Sequence, residues 1–428
     1  MSRNRLIYNA PYIIIASIFG PYLTRDLGIR LEQLVIYPLA LLLLFSRPAY
    51  VLKPSLWIWQ SALLWIGIFA LAIVNSTIVR PVPSLGILLA GIDNHLLPLA
   101  LMMVVAIFAK EAKRCKWNVD EYLIKLFRLF ALLLCINSAI ALLQQLVPGF
   151  SAHLSMFWSS DTSGPSVGLQ AVDMGRLVGI FNQPAENGIA YGLGILGLLY
   201  IDVFRKIRKS DYLLLIGILI GGILAVSKVF YLGVTFVATL FLIYVKVLKN
   251  RRSHIMKNVA VLSVIFGFSA LIFLMLLDRW EWAQHYKRTI ESGNVIFSLT
   301  GGRAGLGTEE FIISKIKEIW ATNYLTGIGF GYFQVTDIGL LYVFMISGLV
   351  GLILYILLFL VLASRGLLNI GKVYACDLRA WFYTLIFFCV GCDMGFPALI
   401  ANRSSTLLWL FVMMAGQLLF GRNEPEYL

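Results

Sequence analysis

Charge is scarce in this sequence, and so are the residues that build metal and redox centres. Of 428 residues, 13% are Asp, Glu, Lys or Arg, about half the share found in soluble domains. Four histidines, with no HExxH and no pair at ligand spacing, leave little room for a metal site. Five cysteines are an odd number, and the Cys389-x-x-Cys392 pair lies inside an apolar run, where helix packing is the expected role. There is no GxxxxGK[ST] and no DxD. The chain therefore lacks the usual cradle for a nucleotide and the acidic pair that holds a metal-bound nucleotide-sugar. No soluble domain, sequence repeat or low-complexity tract stands out.

What is present is apolar surface. Residues of the hydrophobic classes make up 60% of the chain, and runs of about 18 or more recur from end to end, the mark of transmembrane helices. A lipid-spanning chain must satisfy its backbone internally, and the short alternating segments of a barrel are absent. The expected fold is all-α: a polytopic integral membrane protein forming one transmembrane domain over residues 1–428. About twelve helices are expected, near 7–24, 31–46, 55–78, 92–109, 124–147, 186–203, 211–226, 229–247, 258–277, 337–362, 380–395 and 404–420. The first follows Arg3 and Arg5 without a small-residue cleavage site, so it is expected to be retained.

With both termini placed in the cytoplasm, the clusters KEAKRCK, RKIRK and KVLKNRR all fall on the inner side. The formal charge of +13 then reads as a topology signal rather than a nucleic-acid footprint. Two outer segments are long, 148–185 and 278–336. The second holds Trp280, Trp282, His285 and a stretch TEEFIISKIKEIWA. There Ile312, Ile316, Ile319 and Trp320 share a helical face, as in an amphipathic helix at the membrane surface.

The outer side also carries a set of cations beside turns. Arg176 opens GRLVGIFNQPAENGIAYG, Lys228 lies in AVSKVFYLG between two closely joined helices, and Arg303 follows Gly302 in SLTGGRAGLG. Snorkelling accounts for Lys228 alone, and a solvated loop for either arginine alone. Together they match an anion held by guanidinium groups and by free N–H groups of glycine turns and helix starts. GGRAGLG is a loose phosphate loop, but on the outer side it meets no ATP pool. Among the outer acids, Asp337 precedes a helix start, where N-capping and a general base are both open. Glu186 stands in the first turn of the helix after Asn182-Gln183-Pro184. Glu309 and Glu310 are explained by the helix dipole.

These motifs are similar to those of the Wzy/O-antigen ligase superfamily. The matching elements are RLVGIFNQPAENG before one helix, SK between two joined helices, GGR in a large late outer loop, NYLTGIGFGYF closing it and DIGLLYVFMISGLVG after it. The resemblance implies a metal-independent, GT-C-like glycosyltransferase in the bacterial inner membrane, its active site facing the periplasm and without a cofactor. Donor and acceptor would be undecaprenyl-diphosphate-linked oligosaccharides. A chain-length regulator would be a further partner, and nucleic acid would not. Arg176, Lys228 and Arg303, with Gly302, would hold the diphosphate. Asn182 and Gln183 would shape a polar turn near the sugars, and Asp337, then Glu186, would assist the acceptor hydroxyl. Three departures are evident: lysine at 228 where arginine is common, Gly188 twelve residues after Arg176 where some polymerases have eleven, and Asp337 near the place of the ligase histidine. The last favours polymerase over ligase. A transporter of lipid-linked sugars is the rival class.

Phosphatase fusions after Pro165 or Glu291 are expected to be active, and fusions after Lys116 or Lys249 inactive. The reverse pattern would invert the orientation.

Overall fold

The computed structural model describes residues 3–24, 28–48, 55–79, 82, 84–159, 167–173, 175–205, 207–225, 227, 229–230, 309–331, 338–367 and 375–420. The expected helices near 229–247 and 258–277 lie almost wholly outside these residues, as do Trp280, Trp282 and His285. Among the described residues the protein is a helical membrane protein. Six helices are long and apolar enough to cross a membrane, and the apolar stretches Arg5–Ile18 and Leu31–Ser46 are shorter.

In chain order the helices are α1 (Arg3–Ile18), α2 (Leu31–Ser46), α3 (Leu56–Val74), α4 (Leu85–Arg114), α5 (Val119–Leu146), α6 (Phe150–Trp158) and α7 (Val167–Asp173). They continue with α8 (Pro184–Phe204), α9 (Lys209–Leu224), α10 (Glu309–Asn323), α11 (Gly339–Ser364), α12 (Ala375–Asp393) and α13 (Asn402–Phe420). Between α1 and α2, Tyr22–Thr24 (β1) pairs antiparallel with Ile29–Arg30 (β2). The helix expected over 7–24 thus stops at Ile18. Gly20 and Pro21 follow, and proline both lacks an amide donor and disfavours helix in the residue before it. The helix expected from 92 instead begins at Leu85, because Ser84 caps it by accepting from the Ile87 amide. The segment 148–185 contains two short helices, α6 and α7.

The apolar stretch from Arg403 to Phe420 in α13 is fully enclosed by protein, whereas only 28% of the corresponding window through α3 is. α13 is therefore the axis of the bundle and α3 part of its lipid-facing wall. Large aromatic side chains fill the space around the axis: Phe127 stacks on Phe411 at 5.2 Å, and Trp65 meets Trp409 edge-on. A buried indole needs an acceptor, and each has one. Trp65 donates to the His95 carbonyl, Trp381 to Leu196 and Trp409 to Leu399. Cys389 and Cys392 are buried in this packing as free thiols.

α11 is broken. Gly348 has φ 65° and ψ −164°, a conformation that side chains avoid. The amides and carbonyls released by the break are taken by the chain just before α11. Ile328 and Gly329 donate to the carbonyls of Met345 and Ile346, and Leu349 and Val350 donate to those of Tyr324 and Leu325. The far side of this segment is held by the π-helical end of α3, Asn75–Val79. There the Asn75 amide bonds the Thr326 carbonyl, and the Phe330 amide donates to the Ser76 hydroxyl at 2.6 Å. In α10, Ile319 is buried against Ile328, Phe344 and Met345, while Trp320 is turned outward and stacks on Tyr324.

A Cβ at position 348 would lie 2.4 Å from the Leu325 backbone. Gly348→Ala is expected to cost about 1–3 kcal/mol from conformation alone. The check is the thermal midpoint of the detergent-solubilised protein, with Gly391→Ala, where a Cβ meets nothing within 4 Å, as control.

Candidate functional site

The hairpin, the starts of α2, α4, α8, α11 and α13, and the ends of α1, α3, α5, α9 and α12 gather at one end of the bundle. The stretch beginning at Arg176 lies there as a compact turn. Its backbone is held by amide side chains of α5. Asn137 accepts from the Ile180 amide at 2.8 Å and donates to Asn187 and Tyr191, while Gln144 accepts from the Gly179 amide at 2.8 Å. Gly179 has φ 62°, and a Cβ there would lie 2.1 Å from the Asn137 oxygen. Only glycine permits both the turn and that approach. Pro184 then opens α8 at a position where no amide is required.

The turn is stitched to the junction after α9. The Leu177 amide donates to the Leu224 carbonyl at 2.9 Å. Ser227 is buried against Gly188, where a Cβ would lie 2.2 Å from the serine oxygen. The RLVGIFNQPAENG turn and Ser227, some fifty residues later, are thereby neighbours.

Arg176 is partly buried, and its amide donates to the Ala171 carbonyl at 2.8 Å. Asn182 is 8% exposed, and its side-chain oxygen meets no hydrogen-bond partner among the described residues. Gln183 precedes α8, partly exposed, and its side chain does not cap the helix. Glu186 is fully buried in the first turn of α8, within electrostatic reach of Arg30 and Tyr22. Lys228, Gly302, Arg303 and Asp337 lie outside the described residues.

Beside this turn is an ionic network that sequence reasoning missed. Arg403, at the start of α13, is 1% exposed. It donates to the Ile180 carbonyl at 2.9 Å and the Gly20 carbonyl at 2.7 Å, and its guanidinium lies over the Tyr22 ring at 5.2 Å. Its Nε is 4.0 Å from Glu32, which in turn lies 3.3 Å from Arg30. Arg30 also reaches Asp93 of α4 at 3.3 Å, and Asp93 accepts from Gln33 and from Tyr37, the latter at 2.7 Å. Burial works against the Arg30 charge, but Glu32, with Tyr22, Asp93 and Glu186, outweighs it and holds the guanidinium above its ordinary range. Burial pushes the Tyr22 phenol up.

Two arginines here face three carboxylates, so this network has no positive charge to spare. With exposures of 3% and 1%, Arg30 and Arg403 are structural cations rather than open anion receptors. Of the expected anion-binding cations, Arg176 is the one among the described residues. The signal for the missed groups was present. Asn137 and Ser138 interrupt the apolar run of α5, and Arg403 opens the last apolar helix, where intramembrane polar groups are costly unless they have a task.

No protein-family model matches the chain, and no curated protein matches it.

Arg403→Met is expected to destabilise the fold by about 3 kcal/mol or more, because it leaves a buried carboxylate with half its compensation. Arg403→Lys keeps the charge but loses the planar fork that spans two carbonyls, and should fall between. Thermal unfolding in detergent orders the three proteins; equal midpoints would remove Arg403 from this role.

Proposed function

We propose that the chain polymerises undecaprenyl-diphosphate-linked oligosaccharide repeat units into a surface polysaccharide, at the periplasmic face of the bacterial inner membrane. In this reading the protein has about twelve spans, a GT-C-like architecture and cytoplasmic termini. The observation that carries the reading is the bond from Leu177 to the Leu224 carbonyl with the seating of Ser227 on Gly188. It joins the arginine-bearing turn to the start of the serine–lysine junction, as a shared diphosphate site would require.

The chemistry needs little from the protein beyond placement and charge. An acceptor hydroxyl attacks the anomeric carbon of the donor sugar. The bond from that carbon to the phosphate oxygen breaks, and the lipid diphosphate departs with the electron pair. It is a weak base, so departure requires neither a metal nor a general acid. Arg176, Lys228 and Arg303, aided by the Gly302 amide, would stabilise the charge growing on the diphosphate. Asp337 would take the hydroxyl proton. Glu186 is buried within electrostatic reach of Arg30, which suits an orienting role better than direct proton transfer. The stiff turn at Asn182 and Gln183 would align the sugars.

One observation favours a second reading. A helix broken at a glycine, with its backbone completed by a neighbouring segment, is a device of transporters. The break in α11 at Gly348 keeps a transporter of lipid-linked glycans as the rival.

Purified protein incubated with a lipid-diphosphate-linked repeat unit, EDTA and no nucleotide is expected to yield a ladder of oligomers. Arg303→Ala and Arg176→Gln should each lose about 10²–10³ in rate at normal expression, by analogy with removal of an oxyanion donor. A folded protein that makes no ladder from its correct repeat unit, but moves that unit across a vesicle membrane, is a transporter.

A further inference from the structure

A small pocket lies beside the turn, between the end of α5, the helices α6 and α7, and residues 178–182. Gln144, Ser151, Trp158, Ser159, Gly168 and Asn182 are among the residues that line it. Its interior of about 20 Å³ has room for one water molecule or one hydroxyl group. Two polar atoms of its lining residues, Asn182 Oδ1 and Ser151 Oγ, are buried without a hydrogen-bond partner among the described residues. The walls are held from outside. Gln144 is committed to Gly179, and the Trp158 indole donates to the Phe19 carbonyl at 3.2 Å. α7 closes over Asn182 so tightly that a Cβ on Gly168 would stand 3.2 Å from the Asn182 carbonyl and 3.5 Å from its Oδ1.

A buried acceptor and a buried hydroxyl, both orphaned on residues that line one small pocket, are costly unless a group that both donates and accepts reaches them. No charged side chain lines the pocket, so a phosphate or carboxylate finds no counter-charge there. A neutral hydroxyl of a carbohydrate has the right chemistry and the right size. We propose that this pocket is a carbohydrate subsite, in which Asn182 and Ser151 hold one hydroxyl of the repeat-unit glycan. The rest of the sugar lies outside the pocket mouth. The subsite rests on the glycan reading above and adds Ser151, α6 and α7 to it. It begins two residues after Arg176 in the chain, so the same turn presents a cation for the diphosphate and a neutral notch for the sugar.

The test uses the full-length protein in nanodiscs and the oligosaccharide freed by mild acid from the host's own lipid-linked pool. Saturation-transfer NMR reads binding of the free glycan, and steady-state rates on the lipid-linked unit read turnover. Ser151→Val and Asn182→Ala are each expected to weaken glycan binding and raise KM about fivefold to tenfold, as for loss of a neutral hydrogen bond; in Ser151→Val, which lies outside the turn that aligns the sugars, kcat stays within about twofold. Neither atom bonds a described residue, so neither variant breaks a hydrogen bond within the protein, and the melting temperature of each serves as the folding control. Gly168→Ala is a second probe that leaves both polar groups in place and narrows the entrance to Asn182; it should weaken binding in the same direction. If all three variants bind and turn over as the wild type does, the pocket holds water only and the subsite is overturned. If the wild type binds the glycan and the variants do not, yet no polymer forms, the subsite stands and the polymerase reading fails. If the wild type polymerises but shows no transfer to the free glycan and no change of KM in the variants, the subsite falls and the polymerase reading survives.

Discussion

The guanidinium of Arg403 is the interaction on which the hairpin end of this bundle depends. A charge enclosed by helices in a low-dielectric setting persists only if its donors and its formal charge are met. Arg403 meets that demand by drawing together parts of the chain that no local preference would join. It takes the Gly20 carbonyl just after α1, the carbonyl of Ile180 in the turn before α8, the face of Tyr22 in the hairpin and the carboxylate of Glu32 in α2. Glu32 recruits Arg30, and Arg30 recruits Asp93 from α4. The turn that carries Arg176 is therefore positioned by a charge more than two hundred residues further along the chain.

A second constraint acts on the backbone. Within lipid, an amide or carbonyl without a partner is too costly to keep, and a broken helix survives only where protein completes it. The break in α11 is completed by residues 324–329, whose glycines allow the two backbones to touch. The same segment is clasped by Asn75 and Ser76 at the end of α3. The conformation of residues 324–330 is thus set jointly by α3 and α11.

These two constraints act at the same end of the bundle. The amides of α5, the arginine of α13 and the junction after α9 converge on a short polar turn at the mouth of α8. Around that turn, the buried arginines are committed to buried carboxylates, a neutral notch lies on one side, and Arg176 stands as a partly exposed cation. A rigid turn with charge and hydrogen-bonding groups on different sides suits a ligand that is itself divided, anionic at one end and hydroxylated at the other.

The membrane character, the helical class and most of the helices were legible in the sequence, because lipid imposes length and apolarity residue by residue. The turn at 175–187 was legible as a polar interruption with glycine and proline at fixed places. Helix ends were less so: α1 stops early, ahead of Gly20 and Pro21, and α4 starts early at Ser84, since a single cap or breaker outweighs a gradual change in hydropathy. The partners of the polar residues were not legible at all. Glu186 was legible as an acid in the first turn of a helix, but not that Arg30 and Tyr22, more than 150 residues earlier in the chain, are among its electrostatic neighbours. The break at Gly348 lay hidden in an unbroken apolar run. Apolar burial is non-directional, so a sequence of apolar residues is enough to declare it; hydrogen bonds and ion pairs are directional and short-ranged, so their pairing exists only once the helices have been packed.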